Sequence, residues 1–194
     1  MKSQIKFLTA AVIASMAFAT ACNNNTDNNP DDTTLKGEIP TGTTLTGNIT
    51  ANATLTSGSS YKLSGGLHVK AGNTLTIEPG VTVVAVDDDA PDYILIEQGA
   101  KIDAQGTASN PIVMTSELKK SGAWGGIHIC GRAHTNAGEG VLSEIGNAPY
   151  GGSDDSDNSG TLRYIRLEYT GFALDEEHEA NGISFYGVGN GTTV

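Results

Sequence analysis

The chain has 194 residues, with 11 basic against 22 acidic side chains, a formal net charge of −11 and 6% aromatic residues. So acidic a surface repels phosphate backbones and excludes a nucleic-acid partner. With only two cysteines no disulfide framework is expected, and 25 glycines among frequent Thr and Asn favour short strands and tight turns over long helices.

Residues 1–21 carry Lys2 and Lys6, then an apolar run from Phe7 to Ala19 that is too short to span a bilayer, then small residues directly before Cys22. The pattern predicts a signal peptide. Its removal takes the balance from 11 basic against 22 acidic residues to 9 against 22. Ala19, Thr20, Ala21 and Cys22 resemble a bacterial lipobox, with Ala19 where such motifs usually carry Leu. That implies acylation of Cys22 and attachment to a membrane through an N-terminal lipid. Residues 22–40 are rich in Asn, Asp and Thr, bury too little to fold alone, and are expected to form a flexible tether. Within it, Asp32, Thr33 and Thr34 resemble the short Asp-Thr acceptor pattern for O-glycosylation in Bacteroidota.

Folded coils are expected over 41–194. The organising stretch is TLTIEPGVTV, Thr74 to Val83, where Leu75/Ile77 and Val81/Val83 flank the turn Glu78, Pro79, Gly80. Pro presets φ at the first central position of a turn and Gly supplies a positive φ at the second, so two strands meet at a corner with no helix between them. Similar groups recur as Tyr61/Leu63, Leu67/Val69, Ile94/Ile96, Ile112/Met114, Ile127/Ile129, Ile165/Leu167 and Ile183/Phe185. Alternation with period two marks strands with one buried face. The intervals Leu75, Ile94, Ile112 suggest a loose period of roughly 18 to 25 residues, as in a solenoid whose repeats stack their inward residues into one core. The fold expected is all-β, a right-handed parallel β-helix with three short strands per coil. A β-sandwich also has many short strands, but it prefers two-residue hairpins, and here Pro-Gly and single-Gly corners dominate. In GAWGGIHICG, Gly122 to Gly131, glycines beside a lone tryptophan suit a tight corner where backbones approach closely.

The phrases ILIEQGAKIDAQGTASNPIVMTS (Ile94 to Ser116), GAWGGIHICG, GNAPYGGSDDSDNSGTLRYIRLEYTG (Gly146 to Gly171) and NGISFYGVGNGTTV (Asn181 to Val194) resemble Bacteroidota cell-envelope lipoproteins with a pectin-lyase-like parallel β-helix. The resemblance implies the fold and a lipid-anchored place in the cell envelope, at the outer membrane. It implies no catalytic residues. Members of that family are considerably longer, so the chain reads as the N-terminal part of a longer β-helix, with an uncapped edge around Ile183 and Phe185 that is expected to self-associate.

Alternation places Tyr164, Arg166 and Glu168 outward around Ile165/Leu167, His128 outward between Ile127 and Ile129, and Ser184 and Tyr186 outward around Phe185. Stacked coils would bring His128, Tyr164, Arg166, Glu168 and Tyr186 into one strip facing a ligand, and rings beside charged groups suit a saccharide. Asp154, Asp155, Asp157 and Asn158 offer clustered oxygens that a Ca²⁺ ion could use, at a spacing that does not match an EF-hand. Asp87, Asp88, Asp89 and Asp92 are expected to form an exposed excursion, and Glu176, Glu177, His178 and Glu179 a charged loop. Cys130 reads as a small buried residue. No further cofactor is implied. These readings favour a binding or structural surface module, with glycans as the partner and no enzyme signature. A polysaccharide lyase or glycosidase is the alternative, and an adhesin-like spacer the third class.

Overall fold

The computed structural model describes residues 35–88, 90–175 and 178–194, and every regular element among them is a strand. The chain winds into stacked coils. Coil 1 contains β1 (Gly37–Ile39) and β2 (Thr44–Ile49), and coil 2 contains β3 (Ala53–Leu55) and β4 (Ser60–Val69). Coil 3 contains β5 (Thr74–Ile77), β6 (Thr82–Ala85) and β7 (Tyr93–Ile96), and coil 4 contains β8 (Lys101–Gln105), β9 (Ile112–Ser116) and β10 (Ile127–Cys130). A two-stranded hairpin follows, β11 (Val141–Leu142) with β12 (Pro149–Tyr150), before coil 5 with β13 (Gly160–Arg163), β14 (Ile165–Leu167) and β15 (Ile183–Tyr186).

Pairing is coil to coil and parallel throughout the solenoid. Face 1 is β1-β3-β5-β8-β13. Face 2 runs from the first halves of β2 and β4 through β6 and β9 to β14, and face 3 from their second halves through β7 and β10 to β15. Faces 2 and 3 form one sheet because β2 and β4 continue unbroken around the corner. Each bends where a glycine has positive φ, Gly47 at 75° and Gly65 at 69°.

The core is the column of inward residues. Leu55, Ile77, Ile102 and Leu162 come from face 1, Leu63, Val83 and Met114 from face 2, and Leu67, Ile96 and Ile127 from face 3, all of them buried. Burying one such aliphatic contributes about 1.5–3 kcal/mol. The expected corner at Thr74 to Val83 joins β5 on face 1 to β6 on face 2, with Gly80 at φ 78°. Trp124 lies in the same core, and its indole N–H donates to the Glu168 carbonyl at 2.7 Å. Its neighbour Gly126 is held at φ 80° with its open side against the next coil, where a Cβ would lie 2.3 Å from the Gly182 oxygen. Close backbone approach therefore explains the glycines around the tryptophan.

Three expectations need correction. Leu75, Ile94 and Ile112 are not equivalent positions: they lie on faces 1, 3 and 2. The equivalents on face 1 are Ala53, Leu75, Ile102 and Gly160, and their uneven spacing reflects the excursions at the corners. The coils begin before residue 41, since β1 already pairs with β3 and Leu35 is buried. Asp92 is not part of an exposed excursion but is 2% exposed, its Oδ1 accepting the Gly65 N–H at 2.5 Å. Phe185 keeps the expected inward register, opposite Ile129, and is 40% exposed. The expected signal peptide, Cys22 and the Asp32 to Thr34 pattern lie outside the described residues.

Candidate functional site

The three outer faces differ in what covers them. On face 1 the outward residues of β5, β8 and β13 form an open polar surface. Alternation around Ile102 and Ala104 points Lys101, Asp103 and Gln105 outward, and Thr161 sits beside Asp103 in the next coil. The excursion that returns at Asn158 forms one wall. A cleft of about 250 Å³ results, lined by Thr74, Lys101, Asp103, Gln105, Asn158 and Thr161. Gln105 donates an amide hydrogen to Asp103 Oδ1 at 2.6 Å, and Asn158 Oδ1 accepts the Gly160 N–H at 2.9 Å, so both amides are oriented before any ligand arrives. The result is an ammonium, a carboxylate, two amides and hydroxyls on backbone fixed by the coil ladders.

Face 3 is built differently. Its outward column runs His68, Leu95, His128, Ser184, and residues 131–159 fold back over it. Leu95, Cys130 and Ala148 form a second small core with Tyr93, Tyr150 and Tyr186 packed against it. His68 joins two partners: its Nδ1 faces Glu97 at 3.1 Å and its Nε2 faces the Tyr93 hydroxyl at 2.9 Å. Because a carboxylate only accepts, Nδ1 carries the proton and Nε2 receives the phenol hydrogen. Lys70 donates to the same Glu97 oxygen at 2.5 Å. The Tyr93 hydroxyl lies over Gly66, where any Cβ would come within 2.5 Å of it. Burial, with the Glu97 charge second, pushes the Tyr93 pKa up, and burial pushes the Cys130 thiol up to about 11. The thiol is therefore a packing group with no thiolate character at neutral pH.

Residues 47–194 match the family model described as pectate-lyase like beta helix domain. The chain belongs to that family. Comparison with curated proteins and with solved structures gave no match.

Within this pectate-lyase-like β-helix domain the five residues expected to form one strip are divided among the faces. His128 and Tyr186 are together on face 3, the rings stacked with centroids 6.1 Å apart, but His128 is fully buried and faces no solvent. Arg166 on β14 of face 2 and Glu168 just after it pair with each other at 3.0 Å. Tyr164 stands at the corner between faces 1 and 2, 60% exposed and held at φ 49°, a left-handed conformation rarely taken by a bulky residue.

The acidic loop is also dispersed. Asp154 Oδ1 accepts from Ser156, Asp155 Oδ1 pairs with His134 at 2.8 Å, Asp157 Oδ2 accepts from the Ser159 hydroxyl, and Asn158 turns to Gly160. The backbone and ring N–H groups of His134 hold the Asp155 carboxyl below its ordinary value. Among the described residues no group of three His, Cys, Asp or Glu side chains is placed to hold a metal ion. His178 pairs with Asp175 at 2.8 Å, while Glu176, Glu177 and Asp89 lie outside the described residues.

Lys101, Asp103, Gln105 and Thr161 were not singled out from sequence. The first three alternate legibly around Ile102 and Ala104. Their juxtaposition with Asn158 and Thr161 depends on residues 131–159 being an excursion between adjacent rungs, and no local pattern signals that.

Proposed function

We propose that the chain is a lipid-anchored binding module of the cell envelope, acylated at Cys22 at the outer membrane, that engages a polysaccharide along face 1. The observation that carries this reading is the cleft beside β8, where Lys101, Asp103, Gln105, Asn158 and Thr161 present alternating donors and acceptors on an immobile sheet. Planar amide and carboxylate groups can each bridge neighbouring sugar hydroxyls, and a preordered surface avoids the cost of ordering side chains on binding. Lys101 favours a glycan that carries carboxylates. A right-handed winding is in keeping with the general handedness of parallel β crossovers. A polysaccharide lyase is the second reading, since Lys101 and Asp103 place a basic side chain and a carboxylate in one cleft.

A panel of neutral and acidic polysaccharides separates the readings, with binding followed by calorimetry and unsaturated products by ultraviolet absorbance. Binding of an acidic glycan weakened about tenfold or more in Lys101→Ala and in Gln105→Ala, a loss of about 1.4 kcal/mol, supports the module. Absorbance that rises with wild type and not with Lys101→Ala supports the lyase. Binding indifferent to both substitutions refutes the face 1 site.

A further inference from the structure

The outward histidine of β10 occupies an unusual place. On a parallel β-helix an outward side chain is wet unless something lies over it, and His128 is completely buried. Its cover is the hairpin: Ile145 packs on Gly125, Gly146 sits against Leu95, Tyr93 and His68, and Ala148 lies in the second core with Cys130. Both ring nitrogens are occupied. Nε2 meets the Gly125 carbonyl at 2.9 Å and, since a carbonyl only accepts, must carry the hydrogen. Nδ1 faces the Tyr186 hydroxyl at 3.5 Å and accepts in the neutral ring. The ring is stacked on Tyr186 and edge-on to Tyr93.

A second proton on this ring would sit on Nδ1, turn a donor toward a phenol that now donates, and place a charge among aromatic and aliphatic surfaces. The titratable groups around it are Cys130 on its own strand, Tyr93 on β7, Tyr186 on β15, and Glu144 and Tyr150 on the hairpin, with His68, Lys70 and Glu97 beyond Leu95 and the buried Asp92 behind Gly125, whose N–H the Asp92 carbonyl accepts at 2.7 Å. The ring's own polar contacts are a carbonyl and a phenol. His68 differs, because Glu97 and Lys70 already form a charged group around it.

We infer that the hairpin over residues 141–150 is an acid-released cover, held closed by neutral His128 and lifted when that ring takes a proton. The strand beneath cannot move to hydrate the charge, because β10 is paired along its length with β7 and β15. The hairpin can. Its hydrogen bonds close mainly on itself, from Gly140 N–H to Tyr150 O, from Ser143 N–H to Ala148 O and from Ala148 N–H to the Ser143 hydroxyl. Its hold on face 3 is apolar contact through Ile145 and Ala148, with a hydrogen bond between Ser143 and the Cys130 thiol. Burial lowers the His128 pKa from the ordinary histidine value, so the closed form resists the proton that the open form accepts. Opening uncovers Tyr93, Tyr186 and the Cys130 thiol, a strip distinct from the polar cleft on face 1.

If the ring titrates near 6.5 when the hairpin is open and stays neutral when it is closed, opening linked to this one proton rises about 30-fold between pH 7.5 and pH 5. Peptide-resolved hydrogen exchange on the whole chain reads this, with the amides of Thr74 to Val83 as the internal reference at each pH. Protection over 141–150 should fall about 30-fold relative to that reference in wild type and stay level in His128→Gln. Release of equal size in both proteins, or loss of the reference amides together with the hairpin, overturns the inference. Should His128→Gln fail to fold, ring resonances of wild type decide: His128 must gain its proton over the same pH range in which the hairpin amides lose protection. A ring that charges while the hairpin stays protected overturns it.

Discussion

Replacing Asp92 by asparagine should remove most of the pH dependence of stability contributed by the corner between β4 and β7. The carboxyl is almost fully buried and accepts the Gly65 N–H at the point where β4 turns from face 2 to face 3. Burial pushes its pKa from 3.8 up to about 6, against the pull of the Gly65 hydrogen bond and with further upward push from Asp88 and Glu117. The folded chain therefore keeps this proton to about pH 6, whereas the unfolded chain releases it near 3.8. Its stabilising contribution is complete below 3.8 and is lost as the pH rises through 6. At about 1.36 kcal/mol per pKa unit, roughly 2 units correspond to about 3 kcal/mol. Urea unfolding of wild type and Asp92→Asn at intervals from pH 3.5 to 7.5 measures the difference directly. The variant should gain about 3 kcal/mol relative to wild type across that range, whatever the constant offset from exchanging an acid for an amide. Parallel stability curves would show that the Asp92 carboxyl titrates normally, and the reasoning about this corner would be wrong.

Other outcomes follow from the same structure. Tyr61 points into the core, donates to the Ile39 carbonyl at 2.9 Å and accepts the Thr56 N–H at 3.0 Å, so Tyr61→Phe leaves buried backbone groups unpaired and should cost about 1–3 kcal/mol by denaturant unfolding. Ile96→Ala should cost about 2–5 kcal/mol because the site cannot collapse between fixed rungs. Thr76→Ala, on the open side of face 1, should stay within about 0.5 kcal/mol; equal costs at the two sites would contradict the alternation. Cys22→Ser should shift the expressed protein from the membrane fraction to the soluble one, and an unchanged membrane fraction would refute anchoring through that residue.

The inward columns were legible because period two survives in every strand: Leu75/Ile77, Val83, Ile94/Ile96 and Ile127/Ile129 are all buried as the alternation requires. Which strands stack was not legible, since the corners range from the Glu78 to Gly80 turn to residues 131–159, and a fixed period therefore misassigned Leu75, Ile94 and Ile112 to one column. The covered state of face 3 did leave a mark in the sequence. Leu95 is an apolar residue between two inward isoleucines, and an outward leucine beside an outward histidine calls for something above it. Asp92 left none. Its burial depends on Gly65, which lies in the preceding coil and comes close only when the coils stack.

Because every rung recognises only the rungs above and below it, the length of chain between rungs is free to vary. Residues 131–159 leave the solenoid after β10, and Gly160 still pairs with Ile102 in register. Closing a longer flexible loop costs only about 0.6 kcal/mol per doubling of its length, little beside the ladders that hold each rung. A foreign peptide spliced into the exposed corner Thr107–Asn110, whose ends are already joined by reciprocal backbone hydrogen bonds, should therefore be displayed without disturbing β8 or β9. The coils amount to a rack on which the corners are interchangeable slots, and recognition can be rewritten at a corner while the stack beneath it stays as it is.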